Sequence, residues 1–281
     1  MKKTLFALAL AAGLTSFAGS AKAQVTFTYS GSIQSYYIPS TGIYEITAAG
    51  AQGGSAYNGS NLGGNGAFLD GFISLTSATL IQIVVGQAGS NSTGQAAGGG
   101  GGTFIYISPS NPLMVAGGGG GASQASGLYG QTNQSASDGM GATGGTGGSS
   151  GSGGDSQGYG AGGAGFYGAG QGTGAGYSAP TFAGGTGSNN GGYGGGGAGW
   201  NNGGGGGGGY SGGGGGGIHV GGGGGGSYTA STLTSLTASN GANTGNGYFT
   251  ITAQAVPEPS TYALFGIGAL ALIVAYRRKS A

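Results

Sequence analysis

Apolar and polar residues alternate with a period of two over several short blocks of the chain, the pattern of strands with one covered face. Val25, Phe27 and Tyr29 oppose Thr26 and Thr28, and Tyr44, Ile46 and Ala48 oppose Glu45 and Thr47. Leu69, Ile73 and Leu75 alternate against Phe68, Asp70 and Phe72, and Ile81, Ile83 and Val85 against Leu80, Gln82 and Val84. Further blocks lie at 104–107, 113–116 and 248–252, the last with Phe249 and Ile251 on one face. Polar turns separate the blocks and no helical period intervenes. This predicts an all-β fold, an antiparallel jelly-roll-like sandwich. Residues 24–116 would supply most strands, and a strand within 227–255 would close the sheet.

Between these two parts the pattern stops. Of 80 glycines in the 281 residues, 60 fall within 98–226, so residues 117–226 form a glycine-rich segment with few side chains to bury. Ordering a backbone costs about 1–2 kcal/mol per residue, and glycine loses more freedom than any other residue. Backbone hydrogen bonds at about 0.5–1.5 kcal/mol net and Cα–H···O contacts are what remain to offset it. Two readings stay open: runs such as Gly203–Gly209, Gly212–Gly217 and Gly221–Gly226 pack as polyglycine II helices, or the segment is a flexible spacer.

The chain ends carry the two long apolar runs. Lys2 and Lys3 precede the run Leu5–Leu14, and Ala21-Lys22-Ala23 precedes Gln24. A basic start, a short apolar stretch and small residues at Ala21 and Ala23 make residues 1–23 a secretory signal peptide, removed by signal peptidase after engaging the secretion machinery. At the other end, Val256-Pro257-Glu258-Pro259-Ser260-Thr261 leads into the apolar stretch Tyr262–Tyr276 and then Arg277-Arg278-Lys279. Fifteen helical residues reach about 22 Å against a hydrocarbon core of about 30 Å, a marginal transmembrane helix with its basic cluster held in the cytoplasm. This tripartite tail, residues 256–281, resembles the PEP-CTERM sorting signal, with Pro257, Glu258 and Pro259 as its signature and Arg277 and Arg278 in its basic cluster. The resemblance implies cleavage near the motif by exosortase, a membrane protease, and an association with exopolysaccharide production. The expected route is export, a transient inner-membrane anchor, then the cell surface or extracellular matrix.

A second resemblance covers about residues 25–253. The strings Thr41–Gly54, Gly66–Gly89, Gly98–Ile107, Pro112–Ala122 and Gly245–Thr252 are similar to the glycine-rich domain of bacterial surface proteins and to the glycine-rich module of the anaplastic lymphoma kinase receptor family. The likeness implies a jelly-roll-like sandwich whose insertions pack as a polyglycine II bundle, as in the glycine-rich tips of some phage tail adhesins. Receptor versions carry cysteines and charged ligand contacts that this chain lacks.

Charge and candidate chemistry narrow the function further. All six Lys and Arg residues sit in the two ends, so residues 24–255 hold four carboxylates, Glu45, Asp70, Asp138 and Asp155, and no Lys or Arg. Nucleic-acid binding needs cations against phosphate, and none are present. There is no cysteine for a disulfide or thiolate site, and His219 is the single histidine. The carboxylates lack the spacing of an EF-hand or a paired glycosidase site, and GxGxxG strings arise by chance in such a glycine density. No enzyme activity, cofactor or metal is expected. What remains is aromatic: Trp200, Tyr193 and Tyr210 interrupt the glycine segment, either as contacts for a glycan such as exopolysaccharide or as plugs over the bundle ends. The resulting expectation is a secreted structural or adhesive surface protein, with a glycan- or peptide-binding module and a self-associating Gly/Tyr polymer as alternatives.

Overall fold

The computed structural model describes residues 24–254, 266–271 and 275–278. The signal-peptide residues with Ala21 and Ala23, and Pro257, Glu258 and Pro259, lie outside the described residues. Short helical pieces occur at 266–271 and 275–277. Among the described residues no helix is long and apolar enough to cross a membrane. Of the stretch expected to span, Tyr262–Tyr276, residues 262–265 and 272–274 fall outside the described set.

Residues Gln24–Thr252 form one compact body built from ten strands: β1 (Gln24–Thr28), β2 (Gln34–Tyr37), β3 (Gly42–Ala49), β4 (Gly66–Leu75), β5 (Leu80–Val84), β6 (Thr103–Ser108), β7 (Asn111–Ala116), β8 (Tyr228–Thr229), β9 (Thr234–Asn243) and β10 (Tyr248–Ala253). They make two five-stranded antiparallel sheets, ordered β1-β10-β3-β4-β9 and β2-β5-β6-β7-β8. The late strand β10 inserts between β1 and β3, pairing Phe27 with Phe249 and Val25 with Ile251. Strands β3 and β4 of the first sheet pack on β6 and β7 of the second. The alternation read from the sequence sets what faces inward: Tyr44, Ile46, Leu69, Ile73, Phe249 and Ile251 are all buried.

Strands β6 and β7 of the second sheet are covered on both faces, which their near-continuous apolar sequences require. In β6, Thr103, Phe104, Ile105 and Tyr106 are buried in succession. By strand alternation Ile105 and Met114 point one way, while Val84, Phe104, Tyr106 and Val115 join a cluster with Phe166, Phe182 and Tyr210 from the glycine-rich segment. Phe104 meets Phe182 at 4.7 Å and Phe166 at 5.9 Å between ring centres. The glycine-rich segment is therefore a third layer, attached to the sandwich by aromatic side chains.

Within that layer the backbone is neither α-helix nor strand, and its hydrogen bonds repeat every three residues. Gly204, Gly205 and Gly206 donate to Val220, Ala97 and Ala161; Gly207, Gly208 and Gly209 donate to Gly223, Gly100 and Ala164, all at 2.8–3.1 Å. Each donor thus returns to the same neighbouring segment after three residues. In the other direction Gly216 and Gly213 donate to Gly204 and Gly207, Gly121 and Gly118 to Gly205 and Gly208, and Gly197 to Gly206. One run is held by six surrounding segments. A Cβ added at any residue from Gly204 to Gly208 would come closer than 3.0 Å to a neighbouring backbone carbonyl. Glycine is there because chains approach too closely for a side chain.

Burial also sets a pH limit. Desolvation raises the phenol pKa of Tyr106; desolvation followed by the nearby Tyr167 and Tyr228 raises that of Tyr210, and desolvation followed by Asp70 raises that of Tyr248. The unfolded chain begins to lose phenolic protons near pH 10, while the folded chain keeps them. Stability from these groups is therefore complete below about pH 10 and is lost as pH rises from there through the folded values. We expect a melting temperature that is flat from about pH 7 to 9 and falls above about pH 10, with a shallower fall for Tyr106→Phe. Thermal melts across that range check both.

Candidate functional site

At most glycine positions of the layer a side chain has no room, and the larger residues that interrupt its longest runs sit at the run ends. Trp200-Asn201-Asn202 separates Gly199 from Gly203, and Ile218-His219-Val220 separates Gly217 from Gly221. These two turns meet, together with the loops at 95–96 and 123–124. His219 N–H donates to the Asn202 carbonyl at 3.0 Å, Ser123 Oγ donates to the same carbonyl at 2.6 Å, and Gln124 N–H donates to the His219 carbonyl at 3.1 Å. The His219 ring reaches Gln95 Oε1 through Nδ1 at 2.5 Å. Asn201 Nδ2 donates to the Gly158 carbonyl, and Asn189 Nδ2 to the Ala96 carbonyl.

Four residues of this end, Ala96, Asn201, Asn202 and His219, adopt positive φ of 42–67°, a conformation that costs non-glycine residues energy. The end is uncharged and rich in amides. Its apolar side chains at the surface are Trp200 and Ile218, 38% and 46% exposed. An indole face beside amide donors and acceptors is suited to stacking and hydrogen bonding, and the residues named here include no Lys, Arg, Asp or Glu.

An open cleft of about 290 Å³ lies beside this end, lined among others by Tyr29, Gln87, Thr186, Asn190 and Tyr193. The Tyr29 and Tyr193 rings stand 6.1 Å apart. Asn190 Oδ1 accepts from Gly187 N–H at 3.1 Å, and a methyl group on Gly187 would lie 3.5 Å from the Trp200 ring. Two of the three aromatic residues singled out in the sequence, Tyr193 and Trp200, therefore flank the same short loop. Tyr210 does not join them. It is 8% exposed and stacks on Tyr228 at 4.7 Å, inside the cluster over the second sheet. Its ring belongs to the same buried cluster as Val115 and Tyr106.

The tail is the other functional element. Its described basic residues, Arg277 and Arg278, are exposed. Residues 255–279 match the PEP-CTERM protein-sorting motif. The PEP-CTERM tail marks the chain for export, transient anchoring at the C-terminus and processing by exosortase, a membrane protease. No curated protein matches the chain.

The carboxylates do not converge on a further site. Asp70 accepts from Thr47 at 2.7 Å, Asp138 from Gly147 N–H at 2.8 Å, and Asp155 from Ser156 N–H at 2.7 Å and Gln157. Among the described residues no three His, Asp or Glu side chains group as metal ligands. Sequence reading overlooked Gln95, Ser123, Gln124, Asn189, Asn201 and Asn202 as members of the polar end. The available signal was their position, each at a break in a glycine run.

Proposed function

We propose that this chain is a secreted structural and adhesive protein of the cell surface or exopolysaccharide matrix, released from its anchor by an exosortase-type protease. The observation that carries this reading is the sorting motif on residues 255–279. The body would act without catalysis, in keeping with a sequence that has one histidine and no cysteine. Its glycine layer is read as a bundle of polyglycine II helices. The threefold return of hydrogen bonds to the same neighbours supports this, since that helix has three residues per turn. The order of strands and glycine runs likewise supports a jelly-roll-like surface domain of the kind found in bacterial surface proteins and the anaplastic lymphoma kinase receptor family.

Adhesion is assigned to the uncharged end that carries Trp200. An exposed indole with amide neighbours fits a neutral sugar face better than an acidic one, because residues 24–255 hold no Lys or Arg. One fractionation of cultures into envelope, matrix and medium tests both parts of the reading. Deletion of 256–281 is expected to move the protein out of the surface and matrix fractions; an unchanged distribution rejects the sorting role. Trp200→Ala is expected to leave export intact and shift processed protein from matrix to medium, and full matrix retention rejects the adhesive role.

A further inference from the structure

Strand β9 is the part of the sandwich that its own fold does least to justify. It is one of the two longest strands, ten residues, and it forms the edge of the first sheet. Its first seven residues, Thr234–Asn240, are all exposed, so neither face of the strand is covered there. Leu236 is 46% exposed although it lies near Gly71 in the body of the sheet. From Thr234 to Ser239 no side chain is buried, and backbone pairing with β4 is the main hold on the strand.

Natural proteins block such edges with Lys, Pro, inward charges, bulges or a covering segment. Residues 227–253 contain no charged residue and no proline. The devices present are a pair of register shifts against β4, between Gly66 and Phe68 and between Asp70 and Phe72, the second with Ser235 at a φ of +51°. At the C-terminal half, Asn240 Oδ1 accepts from Thr132 N–H, and Tyr129 packs on Gly241. Thr234–Ser239 have no strand partner on the outer side among the described residues.

We propose that Thr234–Ser239 pair, edge to edge and antiparallel, with the same segment of a second copy of this chain. Charge favours this occupant. The edge offers nothing to a charged partner, and two such edges meet without opposing like charges. Within the sheet, β9 and β1 form opposite edges, so the pairing edge is remote from the strand that begins at Gln24. Because the same edge serves both copies, the contact is two-fold and closes at a dimer.

The test is sedimentation velocity of the secreted, processed protein from about 1 to 300 µM, the range in which weak strand pairing registers. A monomer–dimer equilibrium that salt does not weaken is expected. Combining Leu236→Lys with Ser239→Lys should raise the dissociation constant at least about tenfold. Amide exchange on the unmodified protein gives a second measurement, independent of how the variant folds. Amides of 234–239 should slow with concentration while those of Phe68–Phe72 do not change. A monomer throughout with concentration-independent exchange, an undiminished dimer in the lysine variant, or growth past the dimer would each overturn the pairing.

Discussion

Gly206→Ala should destabilise the body by about 3–5 kcal/mol, although it adds one methyl group to a residue with no side-chain contacts. The new Cβ would overlap the carbonyl of Gly213 and crowd the amide of Gly163. Neither is a side chain that can rotate away. Relief requires the runs to separate, which lengthens the bonds from Gly206 to Ala161 and from Gly197 to Gly206 and disturbs those of the adjoining residues. Overpacking costs about 1–3 kcal/mol, and each lost hydrogen bond adds about 0.5–1.5 kcal/mol. For a body of this size the melting temperature should fall by roughly 10 °C. Gly42→Ala and Gly94→Ala are the controls, because a Cβ at either would meet nothing within 4 Å. Both should stay within about 0.5 kcal/mol of the parent. Equal effects at Gly206 and Gly94 in urea titrations would mean that the runs are not packed against one another.

That contrast also indicates which parts of the fold the sequence could express. Alternation located β1, β3, β4 and β10 and the inward faces of Tyr44, Leu69 and Phe249, because each strand there has one covered side. It failed for β9, whose Thr-Ser-Leu-Thr-Ala-Ser has no covered side and so no pattern to read. The glycine layer was half legible. Glycine content shows that only backbone could do any packing there and leaves a flexible spacer open, and the pairing of Gly205 with Ala97 and of Gly206 with Ala161 depends on neighbours far apart in the chain. The same limit applied to the aromatics. Phe166, Tyr210 and Trp200 look alike in sequence, each a large ring set among glycines. Two face the second sheet and one faces outward, according to whether the run ends over Phe104 and Tyr106 or away from them. The sorting motif was legible, because its recognition depends on a short linear string rather than on a fold.

The join between glycine layer and sandwich should fail most sharply at Phe182. This residue is fully buried, 4.7 Å from Phe104 and 6.1 Å from Tyr106 between ring centres, and its carbonyl accepts from both Gly194 and Gly195. Phe182→Ala should cost about 3–5 kcal/mol, the range for emptying an aromatic site in a core that cannot collapse. The neighbouring Tyr177→Ala, 55% exposed in the parent, should change stability by less than about 0.5 kcal/mol. A third variant separates packing from backbone conformation. Phe182 has a φ of +50°, which costs a residue with a Cβ about 1–2 kcal/mol. Phe182→Gly should therefore be less damaging than Phe182→Ala by about 1 kcal/mol, although it removes one more carbon. If the aromatic plug holds the layer in place, amide exchange at Gly204–Gly209 will quicken in Phe182→Ala by more than it does in β3 and β4. Uniform quickening throughout would instead mean that layer and sandwich unfold as one unit.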